Sequence, residues 1–368
     1  MPNPPERYVR YSDDVEVRQP DEDKLIGEIL DSVARMGQKV FDKHRHAMRG
    51  AHAKGHGGLK GELKIYGNLP VPFAQGLFRE PRIYPVMIRF STAPGDIMPD
   101  GMSSFRGMAI KVIGVEGRKL FGSEADALTQ DFLMINRPVF PAGNIARYLN
   151  EQLLQEKVVV SAPEEAQQLL TTALRTVNTV TEKVGIELYP TALGITLPET
   201  HILGETYYTT AALRYGDYIA KLSAVPVSSS LQPLVGKTIP TDDASVLRDL
   251  TVDFFRQQSA EYELCAQLCT NLETMPIEDA SVEWSEQESP YQAIAKITLP
   301  VQEVYSPARR VYVDEVLSFN SWHCIAEHRP LGSIQRVRMQ VYEASSRYRH
   351  EMNQHPQVEP RSIEEMPD

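Results

Sequence analysis

Tyr84-Pro85-Val86-Met87-Ile88-Arg89-Phe90-Ser91-Thr92 is an apolar run that turns polar only at its far end. Its core, Val86–Phe90, reads as a strand. Working outward, Leu63–Tyr66, Gly107–Ile113 and Phe132–Ile135 have the same short, β-rich character. Gly and Pro stand between them. Several short strands punctuated in this way predict a barrel or a sandwich. A second strand-rich stretch runs from about Thr206 to Val227, and alternation returns over Glu283–Thr298.

Helical periodicity frames these strands. Leu25, Ile26, Ile29, Leu30, Val33 and Met36 recur at three- and four-residue steps within 21–48. Residues 141–187 and Asp249–Asn271 also read as helical, and Ser333–Met352 is rich in good helix formers. The expected class is α+β, with a β-rich body and helices at its beginning, middle and end. Residues 1–20 read as an N-terminal arm, 21–352 as one domain, and 353–368 as a disordered tail carrying three prolines and several acids.

The 368 residues carry a formal net charge of −11, which argues against nucleic acid or an anionic membrane as partner. No apolar run reaches the length of a membrane span. Residues Met1–Arg10 lack the apolar core of a signal peptide, so a soluble cytoplasmic protein is expected. The three cysteines, Cys265, Cys269 and Cys324, form no disulfide framework and read as small buried hydrophobes.

Four segments carry chemistry. In Arg49-Gly50-Ala51-His52-Ala53-Lys54-Gly55, glycines let other groups approach His52 closely, and a histidine can accept and return a proton. Arg89, near the end of its strand, can anchor a carboxylate. Asn136 interrupts an apolar strand and needs a hydrogen-bond partner, either a ligand or, more commonly, a backbone group. On the last helix, Arg338, Tyr342 and Arg349 fall within about 40° of one another around the axis. Arg338 would favour the phenolate of Tyr342, a good ligand for ferric iron. Each segment alone has a blander reading: a loop histidine, a surface ion pair, a backbone-bonded amide, a solvated helix face.

In their order and wording, these segments resemble the monofunctional haem catalases. His52-Ala53-Lys54-Gly55 is similar to that family's distal-histidine motif, and Arg49 to an arginine that binds a haem propionate. Arg89-Phe90-Ser91-Thr92 is similar to the strand supplying a second propionate arginine and a serine behind the histidine. Phe105-Arg106-Gly107-Met108-Ala109-Ile110-Lys111 and Asn136-Arg137-Pro138-Val139-Phe140 also resemble family stretches, the latter beside the distal asparagine. Arg338 to Arg349 resembles the proximal helix, with Tyr342 at the iron-ligand position. The likeness is firm over about 40–140, returns near 274–300 and 336–350, and is faint between.

The resemblance implies an antiparallel eight-stranded β-barrel with surrounding helices and a proximal C-terminal helix. It implies haem b as cofactor, a small peroxide or hydroperoxide as substrate, and a homo-oligomer. His52, Ser91 and Asn136 would be catalytic. Arg49, Arg89, Phe140, Arg338, Tyr342 and Arg349 would bind the cofactor, with Tyr342 as metal ligand and Tyr148 as an aromatic stacked on it. The short C-terminus leaves no room for a flavodoxin-like domain, as in small catalase-related peroxidases and catalase-like allene oxide synthases. In catalases the catalytic asparagine is the first of an adjacent pair; here the pair is Ile135-Asn136, so that position is apolar. Ala93 and Ser104 stand where the family has bulky and acidic channel residues. The expectation is a haem-dependent peroxide-metabolising enzyme that favours organic hydroperoxides. The alternatives are a fatty-acid hydroperoxide isomerase or lyase, and a non-enzymatic haem-binding protein.

Overall fold

The computed structural model describes residues 7–121, 125–161, 198–240 and 243–368. The Val86–Phe90 run lies at the heart of the strand β2 (Ile83–Thr92), beside β1 (Gly55–Ile65) on one side and β3 (Arg106–Ile113) on the other. The sheet continues through β4 (Thr129–Ile135) to the two-residue strand β5 (Tyr207–Tyr208). From the other flank of β1 it runs through β9 (Gln292–Leu299) and β8 (Ala260–Leu268) to β7 (Tyr218–Pro226). β5 then pairs with β7, Tyr207 opposite Ala224 and Tyr208 opposite Ser223, which closes an antiparallel eight-stranded barrel. A short β6 (Leu213–Tyr215) hairpins against β7 outside the closed ring. This is the α+β barrel that the resemblance implies, and one of the two forms, barrel or sandwich, that the strand pattern predicts.

Period-two alternation fills the barrel. Ile88, Phe90, Met108, Ile110, Phe132 and Met134 point into one buried cluster. Their neighbours Arg89, Ser91, Gly107, Lys111, Asp131 and Ile135 fall on the outer face of β2–β4. That outer face is covered by helices. α1 (Glu22–His44) carries the predicted stripe: Ile26 and Ile29 pack with Ile145 and Leu149 of α2 (Ile145–Ser161) and Val337 of α5 (Ser333–Asn353). α1 ends where Arg45 turns left-handed at φ 54° and its N–H reaches the Phe41 carbonyl at 2.7 Å. Among the described residues, no helix is long and apolar enough to cross a membrane.

Two sequence expectations are corrected. The segment read as one helix over Asp249–Asn271 is a short helix, α3 (Val246–Phe255), followed by β8. Ala260, Tyr262, Leu264, Ala266 and Leu268 alternate into the barrel at 1% exposure or less, so closure of the sheet overrides helix propensity there. Cys265 and Cys269 therefore share no helix face; they are buried thiols, pushed up to about 12 and about 11 by desolvation.

The tail expected to be disordered is packed. Glu359 accepts from Lys111 Nζ at 2.6 Å and from Thr129 Oγ1 at 2.7 Å, and Met366 joins Met87, Ile113, Val313 and Leu317 in an apolar cluster. A buried lysine needs carboxylates, and Asp131 alone shares Lys111 with this tail residue. The N-terminal arm also lies against the body, with Val9 N–H bonded to the Cys269 carbonyl and Glu16 to Arg336. Of the helix expected over 141–187, Ile145–Ser161 is seen; 162–187 lies outside the described residues.

Candidate active site

His52 lies in the turn that leads into β1, with a left-handed φ of 55°. That conformation costs a non-glycine residue on the order of 1 kcal/mol or more. It is held by the His52 N–H to the Ala93 carbonyl at 2.8 Å. The imidazole lies on the outer face of the sheet. Its Nδ1 is 3.0 Å from Ser91 Oγ, and a Cβ on Gly107 would come within 2.6 Å of the same nitrogen. Strand register sets Ser91, Gly107 and Ile135 side by side in one cross-strand row. So the resemblance's histidine and serine meet, and the third member of their row is an isoleucine.

Burial, reinforced by the guanidiniums of Arg89, Arg338 and Arg49, lowers the His52 imidazole to about 3. The ring is neutral at ordinary pH. In the tautomer whose Nδ1–H donates to Ser91 Oγ, the Nε2 lone pair has no partner among the described residues and can accept a proton. Asn136 is placed otherwise. Its Oδ1 accepts the Arg106 backbone N–H at 2.9 Å, and its own N–H reaches the Arg106 carbonyl at 3.1 Å. The amide caps β3, the commoner of its two sequence readings, and no hydrogen bond joins it to His52.

The three candidate carboxylate-binding arginines converge on one segment, Val313–Ser318. It follows a short helix, α4 (Pro307–Val311), through a π-helical turn at Tyr312–Val316. Arg49 donates to the carbonyls of Val313 and Leu317, both at 2.7 Å. Arg89 donates to the His52 carbonyl at 2.9 Å and to the Asp314 carboxylate at 3.1 Å. Arg349 donates to the Asp314 and Glu315 carbonyls at 2.7 and 2.6 Å. Desolvation, followed by repulsion from Arg89 and Arg349, holds Arg49 well below the usual guanidinium range. Asp314, which gathers this cluster, belongs to no motif legible in the sequence. Its only signal is an acidic pair, Asp314-Glu315, inside an otherwise apolar stretch.

On α5, the Arg338 guanidinium stacks 5.0 Å over the Phe140 ring, and Phe140 packs edge-on to Tyr148. Among the described residues Arg338 makes no hydrogen bond or ion pair, so the expected bond to Tyr342 is absent. The half-buried Tyr342 hydroxyl likewise has no hydrogen-bond partner there. Burial, and next the neighbouring Tyr342, pushes Tyr148 up to about 12. Tyr342 lines a cavity of about 260 Å³ between α5, Phe319 and Asp131, and His52 does not line it.

A barrel closed between β5 and β7 with helices around it has known counterparts. Catalase A from Saccharomyces cerevisiae superimposes with a TM-score of 0.58 at 15% identity over 95% of this chain. The fold is that of the catalases. A fungal catalase gives 0.56 at 17% identity over 94% of the chain, and a bacterial catalase 0.56 at 15% over 94%. This catalase-like chain spans 66%, 70% and 64% of the fungal, yeast and bacterial proteins, about two thirds of their length. No protein-family model and no curated protein matches the sequence.

Proposed function

We propose that this catalase-like chain is a haem-dependent enzyme acting on peroxides, with a preference for organic hydroperoxides. The observation that carries the reading is the lodging of a neutral His52 against Gly107 and Ser91, with its Nε2 free. A general base must be unprotonated at working pH and is helped by a group that fixes its ring; His52 meets both conditions, with a basicity that burial sets below the pH-matched optimum. The residues also fit a haem. Three guanidiniums converging on one turn, two of them on its single carboxylate, suit two propionates, and a half-buried phenol without a hydrogen-bond partner among the described residues, Tyr342, suits ferric iron.

Haem b, when bound, would supply a Lewis-acidic, redox-active iron. The chain's own residues do the rest. His52 Nε2 takes the proton of the incoming peroxide and returns it to the leaving oxygen. Ser91 fixes the ring plane, an orienting role of the usual outer-shell kind. Arg49, Arg89 and Arg349 hold the carboxylates, while Phe140 and Tyr148 wall the site. Ile135 offers no donor where a polar peroxide needs one, and loss of one such donor costs roughly 10²–10³ in rate. The same apolar side chain favours a larger, less polar hydroperoxide. Assembly as a homo-oligomer in the cytoplasm belongs to the same proposal through the resemblance.

The test is to load the purified chain with haem and follow cumene hydroperoxide and hydrogen peroxide in parallel. We expect a ferric spectrum that changes in Tyr342→Phe, weak oxygen release from hydrogen peroxide, and faster use of the organic substrate. Product analysis separates peroxidation from rearrangement. Failure to bind haem stoichiometrically, or brisk oxygen release with no use of the larger substrate, overturns the proposal.

A further inference from the structure

Two cations meet one carboxylate beside the site, and a third, Arg349, packs against the same turn. Asp314 Oδ1 lies 3.1 Å from Arg89 Nε, 3.0 Å from Arg89 Nη2 and 3.4 Å from Arg49 Nη1. Arg349 reaches the same turn only through backbone carbonyls and the Ser318 hydroxyl. The next acid, Glu315, is held by His46 Nε2 and Asn353 Nδ2, both at 2.8 Å, and so is engaged elsewhere. Arg89 is 3% exposed, whereas the Asp314 side chain keeps 21% of its surface in solvent. A buried excess of like charge is unfavourable until anions enter it. The group best placed to leave is Asp314, the carboxylate that touches the arginines and has a route to water. It sits on a π-helical turn, where the regular ladder of backbone bonds is already interrupted.

We propose that Asp314 is a built-in counter-ion that occupies the anion seat between Arg49 and Arg89, beside Arg349, and is displaced toward solvent by a carboxylate of the incoming ligand. The identity of that ligand, a porphyrin dicarboxylate, rests on the haem reading; the counter-ion role does not. Two consequences follow from the geometry. Asp314 supplies the cluster with a counter-charge from within the chain, so folding does not depend on an external anion. It also competes with the ligand, so carboxylates bind more weakly than three guanidiniums alone would allow. A flat ring without carboxylates has no means of displacing it.

The experiment uses the full chain without haem, as wild type, Asp314→Asn and Asp314→Ser, the serine covering the case in which the amide disturbs the turn. Iron-free protoporphyrin IX and its dimethyl ester are titrated by fluorescence, and the melting temperature is recorded with and without sodium sulfate. We expect both variants to melt lower than wild type and to be stabilised more by sulfate, which fills the vacated seat. Protoporphyrin IX should bind them about tenfold tighter, the scale of exchanging one charge-assisted contact, with no such gain for the ester. Equal or weaker protoporphyrin IX binding by the variants overturns the proposal, and so does equal sulfate stabilisation of all three chains. If no chain binds either porphyrin, the haem reading fails, and the sulfate comparison alone decides for or against the counter-ion.

Discussion

At the scale of single residues, the missing side chain of Gly107 sets where the base can sit. A Cβ there would stand 2.6 Å from His52 Nδ1 and 2.8 Å from Ser91 Oγ, so Gly107→Ala must lift the imidazole off the strand. With haem content retained, stopped-flow mixing with peroxide should show a loss on the order of a hundredfold, the same scale as His52→Ala. An unchanged rate would mean that another group moves the proton. The pH profile follows from the same burial. A ring lowered to about 3 is neutral above that value, so the first step should hold a constant rate from about pH 8 down to about pH 4 and fall only below it. An inflection near 6.5, the value of a free imidazole, would show His52 standing in water.

At the scale of elements, α5 is pinned at its start by one arginine. Arg336 bonds Glu16, Glu22 and Glu278, tying the arm, α1 and the loop before β9 to the helix that carries Tyr342. Replacing it with alanine leaves three carboxylates facing one another, and breaking a buried pair in this way costs about 3–5 kcal/mol. Urea unfolding of Arg336→Ala checks this, and a loss below 1 kcal/mol would show the network to be dispensable. The helix itself was legible from its composition, as was α1 from its stripe. β8 was not, because alanines and leucines such as Ala260, Leu264 and Leu268 satisfy both periods and only pairing with β7 and β9 decides between them. Nor could the tail be read: nothing in its polar, Pro-rich composition announces that Glu359 meets a lysine 248 residues away. The site divides in the same way. His52, Ser91 and the three arginines stand out as candidates through motif order, whereas the backbone partner of Asn136 and the place of Asp314 depend on neighbours distant in sequence.

At the scale of the whole molecule, acid should unfold the protein through its buried neutral histidines. His52 and His328 are lowered to about 3 and His201 to about 4, each chiefly by burial. Between these values and about 6.5 the unfolded chain binds protons that the folded chain refuses, so stability falls as pH drops through that window. Burial also lowers His350 to about 4 and His56 well below its usual value; Asp131, raised to about 6 by burial, works in the opposite sense, and five groups outweigh one. Each net proton changes stability by about 1.4 kcal/mol per pH unit. Calorimetry from pH 7 to 4 should show a steadily falling melting temperature, and a flat or rising one would contradict the placement of these rings. The pairing of β1 with β9 bears on how such a molecule is made. Leu63 must wait for Ile297, a separation of 234 residues. At ~5–20 residues per second, that is about 12–47 s during which the nascent β1 presents one flank unpaired to every other chain in the cell. A ribosome-associated chaperone that shields early strands should therefore raise the soluble yield of this chain, and slowing its translation without one should lower it.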